Sequence, residues 1–432
     1  MCSLHIAGTK ICVIGLWHLG CVYAACLAEL GYSVIGADEN VQVVSNLRIG
    51  KAPLFEPGLD DLVSKGIAAG KLSFITDISA AAAIADFVVL AYDTPIDEHD
   101  RVNLSIVFHA VYLLKSNLHT TLVVSSQVPV GTCDEIEKQL DSAGVAYVPE
   151  NLRLGQAIER FMNPDMIVIG ANNAVVATKV KKLFAPIRSK IIEMDLRSAE
   201  MTKHALNSFL ATSISFANEI GNICDLVGAD GLKVAAALRS DSRIGSKALV
   251  RPGLGFAGGT LARDLRSLQE TARKHGFSST LIDAVLDVNE KQNYSVINRL
   301  RRVMGVFTGK TITIFGLTYK PGTDTLRRSA ALEIIKQLEK ENAVVKAYDP
   351  RVQGLVGNTI AVNLFQDPYC ACEGSDALVI LNELPEFTNM DFKKIGRIMR
   401  TAFVLDTQNL LDSSKMIDSG IKYVGLGRGM AV

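Results

Sequence analysis

Short apolar runs rich in β-branched residues recur along this chain, and each ends in a glycine or a cluster of polar residues. Lys10-Ile11-Cys12-Val13-Ile14 is the first. A run this uniformly apolar fits a strand buried on both faces of a parallel sheet. Gly15-Leu16-Trp17-His18-Leu19-Gly20 follows at once, then a helical stretch over 21–30 that Gly31 ends, then a second strand, Ser33–Ala37, closed by Asp38. Further strands are expected at 87–91, 121–125 and 146–148. They lead into Asp93-Thr94-Pro95, Ser126-Gln127-Val128-Pro129 and Pro149-Glu150-Asn151-Leu152-Arg153-Leu154-Gly155. Polar residues delivered at strand C-termini line the ligand crevice of a doubly wound sheet.

From residue 198 the period changes. Met201, Ala205, Phe209, Phe216, Ile220 and Ile223 recur at helical spacing, so one long helix is expected over 198–227, and another at Thr280–Met304. A second strand–glycine–helix–strand unit then appears: Thr311–Phe315, Gly316, a helix over 329–340, and Val344–Tyr348 ending on Asp349. Strands at 376–381 and 402–405 follow, and 425–429 reads as a final loop or tail. This weak internal repeat points to an α/β chain with two Rossmann-like doubly wound domains joined by a long central helix.

Composition removes several partners. The 432 residues suit two to three domains, and 48% hydrophobic content supports sizeable cores. A formal net charge of +0 without a basic run argues against nucleic acid or an anionic membrane. No apolar run approaches the ~20 residues of a membrane span. Residues 1–5 lack the charged and apolar regions of a signal peptide. The eight cysteines are scattered, as expected of reduced residues in a cytoplasmic protein. No metal site is expected, because Cys370 and Cys372 have no partners at zinc spacing.

The N-terminal unit has the dinucleotide-binding layout, with a pyrophosphate on the helix N-terminus and Asp38 on the adenosine ribose. That acid favours NAD, since a 2′-phosphate would meet like charge. The expected cofactor residues are Gly15, Trp17, His18, Leu19, Gly20, Asp38, Thr94, Pro95 and Gln127. Trp17 replaces the middle glycine of G-x-G-x-x-G, a place where a side chain restricts approach of the phosphates, and His18 is either a phosphate contact or a turn residue. In the centre, Gly255-Phe256-Ala257-Gly258-Gly259-Thr260-Leu261-Ala262-Arg263-Asp264 places a hydroxyl, a cation and a carboxylate behind a small-residue loop. Gly255, Phe256 and Gly258 are candidates to approach substrate there. Lys203 and Asn207, four apart, point a cation and an amide from one helix face.

Taken in order, these pieces resemble the UDP-glucose/GDP-mannose dehydrogenase family along nearly the whole chain. The matching residues are Gly15 and Gly20, Thr94-Pro95, Pro149-Glu150, Ala199-Glu200, Lys203, Asn207, Phe216-Ala217-Asn218-Glu219, Arg243-Ile244-Gly245, Gly255 to Asp264, Lys320, Arg327 and Tyr348-Asp349-Pro350. The resemblance implies an NAD-binding domain over 1–195, a central helical dimerisation domain over 196–305 and a nucleotide-sugar-binding domain over 306–432. It implies a homodimer through the central helix, with Arg243 reaching the partner's substrate site. Lys320 and Arg327 would bridge cofactor and substrate phosphates, and Asn151, Leu152 and Arg153 would help hold the substrate. The family oxidises a sugar CH₂OH twice and captures the aldehyde on a central-loop cysteine. That position is Thr260 here, and Gln127, Leu154 and Gln408 replace other residues of the family pattern. An unassisted threonine is a poor nucleophile. The remaining residues suit one hydride transfer. Lys203 would stabilise the reacting oxygen, Asn207 would orient that oxygen or a water, Asp264 would act as base or hold the water, and Glu150 would assist or position substrate. A non-catalytic nucleotide-sugar binder, an epimerase working through a transient carbonyl, and a full 6-dehydrogenase giving a uronic acid stay open as alternatives.

Overall fold

The computed structural model describes residues 8–95, 97, 102–115, 120–140, 144–326, 328–352, 354 and 362–429. The expectations placed on residues 1–5 and on Arg327 therefore lie outside the described residues. The chain divides into two compact units, Met1–Leu206 and Asn207–Val432.

The first unit is built on an eight-stranded sheet. Its strands are β1 (Lys10–Ile14), β2 (Ser33–Ala37), β3 (Leu72–Ile75), β4 (Phe87–Leu90), β5 (Thr121–Val124), β6 (Gly144–Tyr147), β7 (Met166–Gly170) and β8 (Lys190–Met194). They lie in the order β3-β2-β1-β4-β5-β6-β7-β8, all pairs parallel except β6 with β7. Strand β1 shows why its sequence is apolar throughout. Ile11 and Val13 enter the core on one face, while Cys12 and Ile14 enter the core on the other. The strand order reverses between β1 and β4, which opens a crevice at their C-terminal ends.

The second unit repeats the order in a six-stranded parallel sheet, β11-β10-β9-β12-β13-β14. Its strands are β9 (Thr311–Phe315), β10 (Val344–Tyr348), β11 (Asn363–Phe365), β12 (Ala377–Ile380), β13 (Phe403–Asp406) and β14 (Lys422–Gly425). Ahead of them, Ala211, Leu265 and Val285 form a small core among three helices. The segment after β14 is pinned rather than trailing, since Gly427 N and Gly429 N donate to the Asp225 carboxylate at 3.1 and 2.9 Å.

The expected elements are present with shifted ends. The first helix runs His18–Glu29, earlier than expected, because Trp17 holds the N-cap position without a capping side chain to mark it. The long helix is Leu196–Val227, 32 residues. It starts before Ser198 because the Asp195 carboxylate caps it, accepting from Ser198 N at 2.9 Å and from Ser198 Oγ at 2.6 Å. Strands β3, β7, β8, β11 and β14 are additions to the expected set.

Candidate active site

In the first unit, the residues expected at the cofactor stand at the C-terminal ends of β1, β2, β4 and β5. Gly15 has φ +90, and a Cβ on it would meet the Tyr92 ring at 2.6 Å. A Cβ on Gly20 would lie 1.9 Å from Gly15 O, so the helix can approach the turn this closely only with glycine there. The Asp38 carboxylate closes the turn by accepting from Leu16 N at 2.7 Å and from Asn40 N at 2.9 Å. Trp17 has φ −92, a backbone conformation open to any residue, and its side chain is 48% exposed. The missing middle glycine is thus accommodated with the indole turned largely to solvent. Leu19 N reaches Asp93 at 3.2 Å, and Thr94 Oγ1 donates to Gln127 O at 2.9 Å, so the β4 and β5 ends join the same rim. Pro95 is exposed beside them.

His18 does something different from a phosphate contact. Its Nε2 is bonded to the buried Glu56 carboxylate at 2.8 Å. Glu56 was absent from the expected site, because an acid in a Pro-Gly turn carries no signal that separates it from an exposed one. Glu200 is a second such group. Its fully buried carboxylate accepts from Gly131 N at 2.6 Å and Cys133 N at 2.7 Å, at the start of the helix Thr132–Gln139. Burial pushes the Glu200 carboxyl above its ordinary range despite those two donors.

Lys203 is buried, and its Nζ donates to Glu150 O at 2.5 Å and to Glu150 Oε1 at 3.1 Å. The other Glu150 oxygen accepts from Leu152 N at 2.8 Å. Glu150 and Lys203 therefore act as one unit after β6. Asn151 and Leu152 are half-buried there and Arg153 is exposed.

In the second unit, Asn207 Nδ2 donates to the carboxylate of Asp264, and both residues are buried. The central loop is clamped from two sides. Asn289 accepts from Phe256 N at 2.6 Å and donates to Phe256 O at 3.1 Å, and a Cβ on Gly255 would strike Asn289 Oδ1 at 2.7 Å. Gly258 N donates to Arg328 O at 3.1 Å, and a Cβ on Gly258 would touch the Tyr319 ring at 3.1 Å. This brings the segment bearing half-buried Lys320, whose Nζ lies 5.4 Å from the Tyr319 ring centre, against the central loop. Thr260 is exposed as the first residue of the helix Thr260–Lys274. Arg243 is exposed and paired with Asp241 at 2.6 Å.

The described thiols are not activated. Desolvation is the leading cause that pushes Cys12, Cys21, Cys26, Cys133, Cys224 and Cys372 up, Cys12 and Cys372 to about 12. Cys370 is raised chiefly by the Asp367 carboxylate. Cys224 shares the long helix with Asn207 but sits about 25 Å along it at 1.5 Å per residue.

Three family models match in order: the NAD binding domain of the UDP-glucose/GDP-mannose dehydrogenase family over residues 9–188, its central domain over 197–291 and its UDP binding domain over 313–413. The chain belongs to the UDP-glucose/GDP-mannose dehydrogenase family. It is 37% identical to UDP-glucose 6-dehydrogenase TuaD of Bacillus subtilis, covering 97% of this chain and 93% of that protein. It is 34% identical to the UDP-glucose 6-dehydrogenase of Pseudomonas aeruginosa, covering 98% of each. Among solved structures, a UDP-glucose dehydrogenase from Pyrobaculum islandicum aligns with a TM-score of 0.89 at 28% identity, covering 99% of each chain. The protein is an NAD-dependent nucleotide-sugar dehydrogenase. The first-unit rim fits that cofactor, since Trp17 supplies no capping side chain at the helix N-terminus, where the pyrophosphate would replace Asp93 as partner of Leu19 N, and Asp38 offers a carboxylate for the ribose. No helix among the described residues is long and apolar enough to cross a membrane.

Proposed function

We propose that this dehydrogenase takes a UDP-sugar, UDP-glucose being the first to test, and performs a single two-electron oxidation of a CH–OH group. The observation that carries this is Thr260, an exposed hydroxyl at the start of the helix Thr260–Lys274, in a chain whose described thiols are all held protonated. Capture of an aldehyde needs a nucleophile with an accessible anion, which a thiol supplies near neutral pH and an unassisted threonine does not. The UDP base is supported by the third family model and by the printed activities of the relatives.

NAD, when bound, accepts the hydride. The side chains supply the rest. An ammonium has three N–H donors. Two on Lys203 are committed to Glu150, and the third is directed to the sugar oxygen as charge develops there. Asp264, wholly buried, fixes the Asn207 amide, and a water held by Asn207 passes the hydroxyl proton to the Asp264 carboxylate. Phe209, Phe216 and Ile223, seven residues apart and exposed, form a stripe that supports a homodimer through the 196–305 segment, with Arg243 reaching the partner. A monomer by sedimentation at micromolar concentration would contradict that assembly.

The deciding experiment counts NADH per sugar and weighs the product by mass spectrometry. One NADH with a carbonyl product is expected. Two NADH and a uronic acid would overturn the single-oxidation reading, and no NADH with any UDP- or GDP-sugar would overturn the catalytic assignment. Lys203→Ala is expected to lower kcat by about 10²–10³, and Thr260→Ala by less than about threefold, since the hydroxyl forms no intermediate.

A further inference from the structure

Glu56 takes no part in the chemistry above, yet its buried carboxylate gathers three donors. His18 Nε2 and Gly155 N both meet Oε2 at 2.8 Å, and Ala157 N meets Oε1 at 2.8 Å. An ionised carboxylate only accepts, so Nε2 carries the proton in this contact. The donors come from two functional segments. His18 begins the helix whose N-terminus would take the cofactor pyrophosphate. Gly155 and Ala157 end the segment that starts at Glu150, the residue gripped by Lys203. Gly155 has φ +86, so the chain reverses sharply where Glu56 holds it. A cofactor that orders the first helical turn fixes His18, and through Glu56 it fixes the far end of the 150–157 segment. A ligand that orders the segment fixes His18 in return.

We propose that His18 is a positioning residue that couples the cofactor turn to the 150–157 segment through Glu56, so that NAD and the nucleotide sugar each tighten the other's binding. This rests on the reading that residues 150–153 contact the sugar nucleotide. Coupling of this kind is reciprocal in the two affinities.

The chain's single tryptophan, Trp17, adjoins His18 and is half-exposed, so its fluorescence reports the cofactor turn directly. NAD is titrated with and without saturating UDP-glucose. In the native protein UDP-glucose is expected to lower the NAD Kd about fivefold or more. In His18→Ala both ligands still bind but the ratio falls close to one. His18→Gln, which keeps a donor at similar reach, restores most of it. A ratio that survives in His18→Ala overturns the proposal, as does a native ratio of one with both ligands bound. Deuterium exchange at Gly155 and Ala157 separates this failure from failure of the substrate reading. If UDP-glucose does not bind native protein, the substrate reading falls. If His18→Ala exchanges those two amides as slowly as native protein, the tie through Glu56 falls.

Discussion

The two sheets begin with the same turn and use it differently. β1 runs into Gly15 and β9 into Gly316, both at φ +90. Each glycine lies against the residue beyond the neighbouring strand: a Cβ would meet the Tyr92 ring at 2.6 Å in the first unit and Asn382 Cβ at 2.4 Å in the second. Each second strand ends on an aspartate that accepts from the residue after the glycine, Leu16 N to Asp38 at 2.7 Å and Leu317 N to Asp349 at 2.7 Å. There the likeness stops. After Gly15 the helix begins at His18, whereas after Gly316 it waits until Ala330, behind its Ser329 cap. Asp38 is half-buried, while Asp349 is wholly buried and also accepts from Thr318 N at 3.0 Å and Arg351 N at 2.9 Å. The first turn places a helix N-terminus without an N-cap side chain directly behind its glycine, with one N–H, Leu19 N, on the Asp93 carboxylate, and leaves its acid half-buried. The second commits its acid to its own loop, and that loop carries Lys320 to the central loop instead. A strand–glycine–helix–strand–acid pattern therefore identifies a scaffold. The distance to the next helix and the partners of the acid decide whether it is a cofactor site.

The strongest test of this contrast is Gly20→Ala. A Cβ there lies 1.9 Å from the Gly15 carbonyl oxygen, a backbone atom with nowhere to go. NAD affinity by Trp17 fluorescence is expected to fall more than about 100-fold, with an added stability loss of about 2–3 kcal/mol. Binding within about tenfold of native would remove the first turn from the cofactor site.

Gly15→Ala set against Gly316→Ala compares the two turns directly. Both incur the strain of positive φ, about 1–2 kcal/mol. At Gly15 the contacts are side-chain ring atoms of Tyr92, whereas at Gly316 they are Cβ, N and Cα of Asn382, at 2.4, 2.9 and 3.2 Å, which are fixed to the backbone. Urea denaturation should therefore show the larger loss for Gly316→Ala, about 3 kcal/mol or more. The reverse order would show that the two turns are not packed as described.

Asp38→Asn against Asp349→Asn is the smallest effect and the finest discrimination. Asp38→Asn should weaken NAD about tenfold, about 1.4 kcal/mol, with little change in Tm. Asp349→Asn should lower Tm and leave NAD affinity alone, because among the described residues its oxygens hold the 317–318 and 351 backbone and the Thr318 hydroxyl. An equal loss of NAD affinity in both would erase the distinction.

Much of this protein was legible in its residues. Strands such as β1, β2, β9 and β10 lie inside their sheets and must be largely apolar, so their positions could be read directly. The sheet edges could not. β3, β8, β11 and β14 each have one side unpaired and mixed burial, which blurs the periodic signal. The ordered polar residues at strand ends, with Lys203, Asn207 and the Gly255 to Asp264 loop, were enough to place the chain in its family. The same resemblance sets Thr260 at the position where it implies a thiol, and the single-oxidation proposal rests on that alignment.

Tertiary structure alone decided what those groups touch. His18 turns to Glu56, 38 residues away, and Glu56 reaches Gly155, 99 residues away. Asp264 is sealed against Asn207 across 57 residues. Asp38 stays half-open while Asp349 is saturated, although both end the second strand of the same motif. Local pattern records the period of a helix or strand, because that depends on neighbours three or four residues away at most. It holds no record of which distant donor a carboxylate meets, since that depends on how whole elements pack.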